Sequence, residues 1–154
     1  MGAAEFYLPD HAATEALGER LAGCCRQGGL LLFLKGELGA GKTTLVRGFL
    51  HALGHGGAVK SPTYTLVESY PLDTLTIHHL DLYRLADAEE LEWLGMRDLL
   101  AEDAICLIEW PERGSAMLPP PDLQLQLNYK NNGRQLRLEA NGEVGDKLLS
   151  CLGI

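Results

Sequence analysis

Between Leu30 and Lys35 the chain reads LLLFLK, an unbroken apolar run suited to a β-strand buried on both faces. Gly28 and Gly29 precede it and a glycine-rich stretch follows. Beyond that stretch Leu45, Val46, Phe49, Leu50 and Leu53 fall on one stripe of a helix running from Lys42 to Leu53, which Gly54 stops. The local order is therefore strand, glycine loop, helix. Upstream, Leu17, Leu21, Cys24 and Cys25 recur at helical spacing and predict an amphipathic helix within 10–27, with Asp10 or Thr14 as its N-cap. Residues 63–70 and 74–81 read as strands around a turn at Pro71, Leu72 and Asp73, and are expected to pair antiparallel. A Glu-rich helix over 88–94 ends at Gly95, with a further helical turn through Leu100. Residues 104–108 (AICLI) form a second fully apolar strand. LQLQLNY and RQLRLEA alternate on either side of 130–133, which is a hairpin signature. Val144, Leu148, Leu149 and Leu152 predict a small closing helix. The pattern describes one α/β domain over 1–154: a mixed sheet with a parallel core around the glycine loop, antiparallel additions from 63–81 and the 123–140 hairpin, and flanking helices.

Composition narrows the chemistry. A chain of 154 residues buries enough surface to fold without disulfides or structural metal, and its 46% hydrophobic and 22% charged residues are ordinary for a globular domain. The formal charge is −8 and no Lys/Arg run offers a local exception, so direct binding of nucleic acid is disfavoured. The four cysteines, Cys24, Cys25, Cys106 and Cys151, show no metal-ligand spacing and read as buried thiols of a reducing compartment. The opening MGAAEFYLPD has neither a basic nor an apolar targeting segment, so a cytoplasmic protein with no membrane partner is expected.

The glycine loop carries the sharpest signal. Gly36, Gly41, Lys42 and Thr43 satisfy G-x-x-x-x-G-K-[ST], so the whole segment Gly36, Glu37, Leu38, Gly39, Ala40, Gly41, Lys42, Thr43, Thr44 is expected to cradle nucleotide phosphates. Successive N–H groups and the positive end of the following helix would hold the phosphates, Lys42 would reach the β and γ positions, and Thr43 would place its hydroxyl on Mg²⁺. The fold class is then a P-loop NTPase. A dinucleotide fingerprint cannot be written here, because Gly39 and Gly41 are followed by Thr44 rather than glycine.

Such an enzyme needs carboxylates at neighbouring strand tips to hold the metal or orient the attacking water. Glu109, directly after CLI, and Asp81, ending TLTIHHLD, both qualify, and which is metal ligand and which is base stays open. Thr63, after Pro62 in KSPTY, is either a switch-like threonine or part of a plain loop. His78 and His79 alternate faces of a strand, so at most one points to the site, and hydrogen-bonded structural histidines are the default. Arg84 and Arg113 lie close in sequence to the acids, where a cis arginine finger or a surface ion pair is possible. Trp93 and Trp110 read as core or partner-contact residues. No N-K-x-D guanine signature and no Arg-rich lid segment occurs, which favours ATP over GTP and hydrolysis over transfer; a small-molecule kinase, a non-hydrolysing nucleotide sensor and a stand-alone GTPase are the alternatives.

GELGAGKTTLVRGFL, VKSPTYTLVESY, HHLDLYRL, EELEWLG and LIEWPER, in this order over Leu8 to Leu118, resemble the bacterial tRNA threonylcarbamoyladenosine biosynthesis ATPases of the TsaE (YjeE) family. The resemblance implies a compact P-loop protein that binds ATP and Mg²⁺. It also implies two partner subunits, TsaB and TsaD, which install threonylcarbamoyl on adenosine 37 of tRNA, so that tRNA is met only indirectly. On that resemblance Lys42 and Thr43 hold ATP and Mg²⁺, Thr63 lies in a switch-like segment, Asp81 and Glu109 flank the metal, and Trp110 lies near the nucleotide.

Overall fold

The computed structural model describes residues 2–62, 64–73 and 75–153. Among the described residues five helices and a short 3-10 turn surround a sheet of seven strands in the order β1-β7-β6-β2-β5-β4-β3. In chain order these are β1 (Ala3–Leu8), α1 (His11–Cys24), β2 (Leu30–Gly36), α2 (Lys42–Ala52), β3 (Val67–Pro71) and β4 (Thr76–Asp81). Then come α3 (Glu90–Trp93), α4 (Met96–Ala101), β5 (Ile105–Glu109), the 3-10 turn Pro111–Gly114, β6 (Leu123–Lys130), β7 (Gly133–Ala140) and α5 (Glu143–Cys151).

The apolar runs became the centre of the sheet. β2 lies between β5 and β6, parallel to both, and all five residues of β5 are buried. Side-chain alternation distributes them to two cores. Ile105 and Leu107 join Leu32, Leu34 and Phe49 on the face covered by α1, α2 and α5. Cys106 and Ile108 join Leu31, Leu80, Leu91 and Met96 on the face covered by α3 and α4. On the first face α1 and α2 press together through Gly18 and Gly48. A Cβ on either would sit 2.1 Å from the Leu45 carbonyl oxygen or 2.0 Å from that of Glu15. That closeness seats the start of α1 beside the glycine loop.

Three features depart from the sequence pattern. β4 and β6 do pair antiparallel with β3 and β7, but β4 is also parallel to β5 and β6 to β2, so both belong to the parallel core rather than to antiparallel additions. β1 was not expected; it closes the far edge against β7, pairing Ala3 with Glu139 through Leu8 with Arg134. The cysteine expectation is corrected in part. Cys24, at the end of α1, and Cys151, at the end of α5, are joined in a disulfide, while Cys25 and Cys106 are buried free thiols. Adjacent in sequence, Cys24 and Cys25 lie on different sides of the helix end, and only Cys24 meets α5.

Candidate phosphate-binding site

Parallel register builds the site. β2, β5 and β4 run side by side, and Asp81 is the register partner of Glu109. Counting by twos from Ile77 and Ile105, both carboxylates project on the α2 face, where the glycine loop turns from β2 into the helix. A cleft of about 270 Å³ opens there, lined by His11, Leu38, Gly39, Gly41, Lys42, Thr43, Thr44, Ser61, Asp81, Glu109 and Trp110. Of the loop residues, Gly36, Glu37 and Ala40 are not part of this lining. The Glu37 carbonyl accepts the Ala40 N–H at 3.1 Å, closing a turn. Gly36, Gly39 and Gly41 take φ of 149°, 78° and 110°, values that residues with a Cβ rarely adopt. The sharp entry into α2 depends on that freedom.

The charged groups of the cleft are buried: Lys42 is 5% exposed, Asp81 6% and Glu109 4%. The Lys42 ammonium donates to the Gly36 carbonyl and lies 4.1 Å from the centroid of the Trp110 ring. Burial lowers its pKa, and the charges of Glu109, Asp81 and Glu112 act in the opposite direction. Burial raises the pKa of Asp81; its Oδ1 accepts the Tyr83 N–H at 3.0 Å, which opposes the rise. Glu109 Oε2 accepts a hydrogen bond at 2.6 Å from Nε2 of the fully buried His79. That bond uses the Nε2 proton, and His79 Nδ1 has no hydrogen-bond partner among the described residues. His78, on the other face, bonds Ser69 at 2.7 Å and Glu102 at 2.6 Å. One histidine of the pair thus points to the site, and the other is structural.

Trp110 holds φ of 55°, a left-handed conformation that is unfavourable for a bulky side chain by about 1–3 kcal/mol. It follows Glu109 at the turn into the Pro111–Gly114 segment, and its ring packs on Tyr83 at 5.0 Å while facing Lys42. The tight turn keeps the ring in the cleft wall. Neither candidate arginine finger lines the cleft: Arg84 stacks over Tyr64 at 4.5 Å, and Arg113 lies over Tyr83 at 5.5 Å. Trp93 is 89% exposed, on the far side of α3 from the core. Thr63 lies outside the described residues. Sequence reasoning missed His11 and Ser61 in the cleft wall. Ser61 had a signal, being two residues from Thr63 in the same loop; His11 had none.

The residues fit a divalent cation of the hard type. Thr43, Asp81 and Glu109 bring only oxygen donors to the cleft, the donor set that suits Mg²⁺ shared with phosphates. Among the described residues no group of three or more His, Cys, Asp or Glu comes together as a metal cage.

A buried parallel strand, a G-x-x-x-x-G-K-T loop, a helix and two carboxylates on adjacent parallel strand tips define a P-loop NTPase fold. The family model described as threonylcarbamoyl adenosine biosynthesis protein TsaE matches residues 8–136. The chain belongs to this family. It is 45% identical over 149 residues to the tRNA threonylcarbamoyladenosine biosynthesis protein TsaE of Haemophilus influenzae, covering 94% of each chain. Against the protein of that name from Synechocystis sp. it is 44% identical over 115 residues, 71% of each chain. A crystal structure of Bacillus subtilis YdiB shares the fold with a TM-score of 0.82 at 26% identity, covering 98% of this chain and 94% of that one.

Proposed function

We propose that this chain binds ATP with Mg²⁺ in the cleft and hydrolyses it in support of tRNA threonylcarbamoyladenosine biosynthesis, acting with TsaB- and TsaD-type subunits. The observation that carries the proposal is the register pairing of Asp81 with Glu109 opposite Lys42 and Thr43. It sets two buried carboxylates against the glycine loop, which a merely structural glycine turn does not need.

Each side chain has a task in that reading. The loop amides and the N-terminus of α2 bind phosphate oxygens. Lys42, whose ammonium burial disfavours, gains an anionic partner when a nucleotide enters, and exchanges the Gly36 carbonyl for phosphate. Thr43, Asp81 and Glu109 would hold Mg²⁺, which supplies charge neutralisation between the phosphates. Glu109 has one oxygen tied to His79; through the other it would either hold the metal or orient the attacking water. Trp110 walls the cleft beside Lys42 and excludes bulk water.

Lys42 is the only Lys or Arg among the described residues that line the cleft. Without an arginine at the γ-phosphate a P-loop enzyme is commonly slow by roughly 10³ or more, so partners are expected to complete the site. The test is calorimetric titration with ATP, ADP and GTP, followed by phosphate release. Lys42→Ala is expected to abolish ATP binding, and Glu109→Gln to keep affinity within a few-fold while losing turnover. Unchanged hydrolysis in Lys42→Ala, or tighter binding of GTP than ATP, contradicts the proposal.

A further inference from the structure

Three successive carbonyls of the glycine loop are gripped from behind by the β6–β7 hairpin. The Tyr129 hydroxyl donates to the Leu38 carbonyl at 2.8 Å. Arg134 donates through Nε to the Ala40 carbonyl at 3.0 Å and through a terminal nitrogen to the Gly39 carbonyl at 3.2 Å. Its other terminal nitrogen bonds the Gly133 carbonyl at 2.9 Å, and the guanidinium lies 4.2 Å from the centroid of the Tyr129 ring, so the two side chains brace each other. Both sit in the last residue pairs of the hairpin, Tyr129 opposite Arg134, on strands locked into the sheet by β2 on one side and β1 on the other.

The consequence follows from peptide geometry. In a trans peptide the carbonyl and the next residue's N–H point in opposite directions. Holding the Leu38 and Ala40 carbonyls against the hairpin therefore turns the N–H groups of Gly39 and Gly41 away from it, to the side of the cleft whose wall those two glycines form. Neither N–H donates to another backbone carbonyl among the described residues, whereas that of Ala40 is closed onto Glu37. A loop containing Gly36, Gly39 and Gly41 has many accessible backbone states, and a ligand that had to order it would bind more weakly.

We propose that Arg134 and Tyr129 are positioning residues for nucleotide binding: they fix two peptide planes of the glycine loop so that the Gly39 and Gly41 N–H groups face the phosphates before the ligand arrives. The inference rests on the cleft being the nucleotide site. It assigns the hairpin a role in the chemistry of a loop more than 90 residues away in the chain. Arg134 acts through its fork, because one group must reach two carbonyls at fixed angles, which an ammonium does not do.

The test is ADP binding to the full chain by calorimetry, with Arg134→Met, Arg134→Lys, Tyr129→Phe and, as control, Arg137→Ala. Arg137 is on the same hairpin but pairs with Glu5 and Glu139 on the exposed face, and its loss removes the same charge. Arg134→Met is expected to weaken ADP about tenfold and Tyr129→Phe about threefold, the scale of one or two hydrogen bonds, with no change in Arg137→Ala. Arg134→Lys should not restore affinity. In ¹H–¹⁵N spectra of the unliganded protein the Gly39 and Gly41 amide signals should shift in Arg134→Met and Tyr129→Phe while signals of the central strands stay in place. That signature separates loop positioning from general destabilisation, and Tyr129→Phe carries the test if Arg134→Met does not fold. Wild-type affinity in both variants, or full rescue by lysine, overturns this inference alone. Failure of the wild-type chain to bind ADP overturns the nucleotide reading and this inference with it.

Discussion

Asp81 is held above and Lys42 below its ordinary pKa in this cleft, and the reason is the same. Burial disfavours the ionised form of both, and their mutual attraction only partly offsets it. For Asp81 the linkage has a definite sign. Its carboxyl is held above the ordinary 3.8, so the native state keeps the proton at pH values where the unfolded chain has lost it. The contribution to stability is full below the unfolded value and declines as pH rises through the folded one. Near neutrality an ionised Asp81 is a standing cost of having the site. Asp81→Asn should therefore raise the melting temperature of the unliganded protein at neutral pH, lose that advantage in acid, and cut hydrolysis by roughly 10²-fold, the scale of removing one preorganised electrostatic group. Thermal melts across pH together with phosphate release check it; an Asn variant that is both destabilised and active contradicts the role given to Asp81.

What the sequence could reveal at this scale was set by distance along the chain. Lys42 and Thr43 announce themselves because loop and helix are contiguous, and Glu109 because it directly follows an apolar strand. His79 bonds a residue 30 positions away and Arg134 one 94 positions away, so no local pattern carries either contact.

Among the elements, the helices and every strand but β1 were legible from periodicity, and strand order was not. The runs at 30–35 and 104–108 declare themselves as buried strands because every position is apolar. That β4 pairs parallel with β5 depends on α3 and α4 forming the crossover, and nothing within 74–81 encodes it. β1 escaped notice because AAEFYL shows only a short alternation, in which Ala4 is a weak core residue, and its partner β7 lies at the other end of the chain.

The link between α1 and α5 is likewise an element-scale fact. A disulfide spanning 127 residues stabilises by up to about 4–5 kcal/mol on chain entropy, chiefly by restricting the unfolded state. The two free thiols are pushed up to about 12 at Cys25 and about 11 at Cys106, both by burial. The native protein should thus give no reaction with a thiol reagent at mildly alkaline pH. Two thiols should appear in denaturant and all four of the chain's cysteines after reduction. Four thiols in denaturant without reductant would show that Cys24 and Cys151 are not joined.

Over the whole molecule, a formal charge of −8 surrounds a cleft that, on the proposed function, captures a polyanion. Local amides and Lys42 are sufficient for a nucleotide, but a duplex or folded RNA meets the summed field, and no basic stripe offsets it. No helix among the described residues is long and apolar enough to cross a membrane. The division of labour we propose is an acidic P-loop subunit that holds ATP and partner subunits that hold the tRNA. One assay addresses that division directly: release of inorganic phosphate from ATP by the chain alone, with tRNA, and with the purified TsaB- and TsaD-type subunits. Slow turnover alone, no response to tRNA, and acceleration of roughly 10³ or more with the subunits is the expected result, since a γ-phosphate arginine or an equivalent ordering of the cleft is then supplied in trans. Rapid turnover by the isolated chain, or stimulation by tRNA in the absence of the subunits, would contradict it.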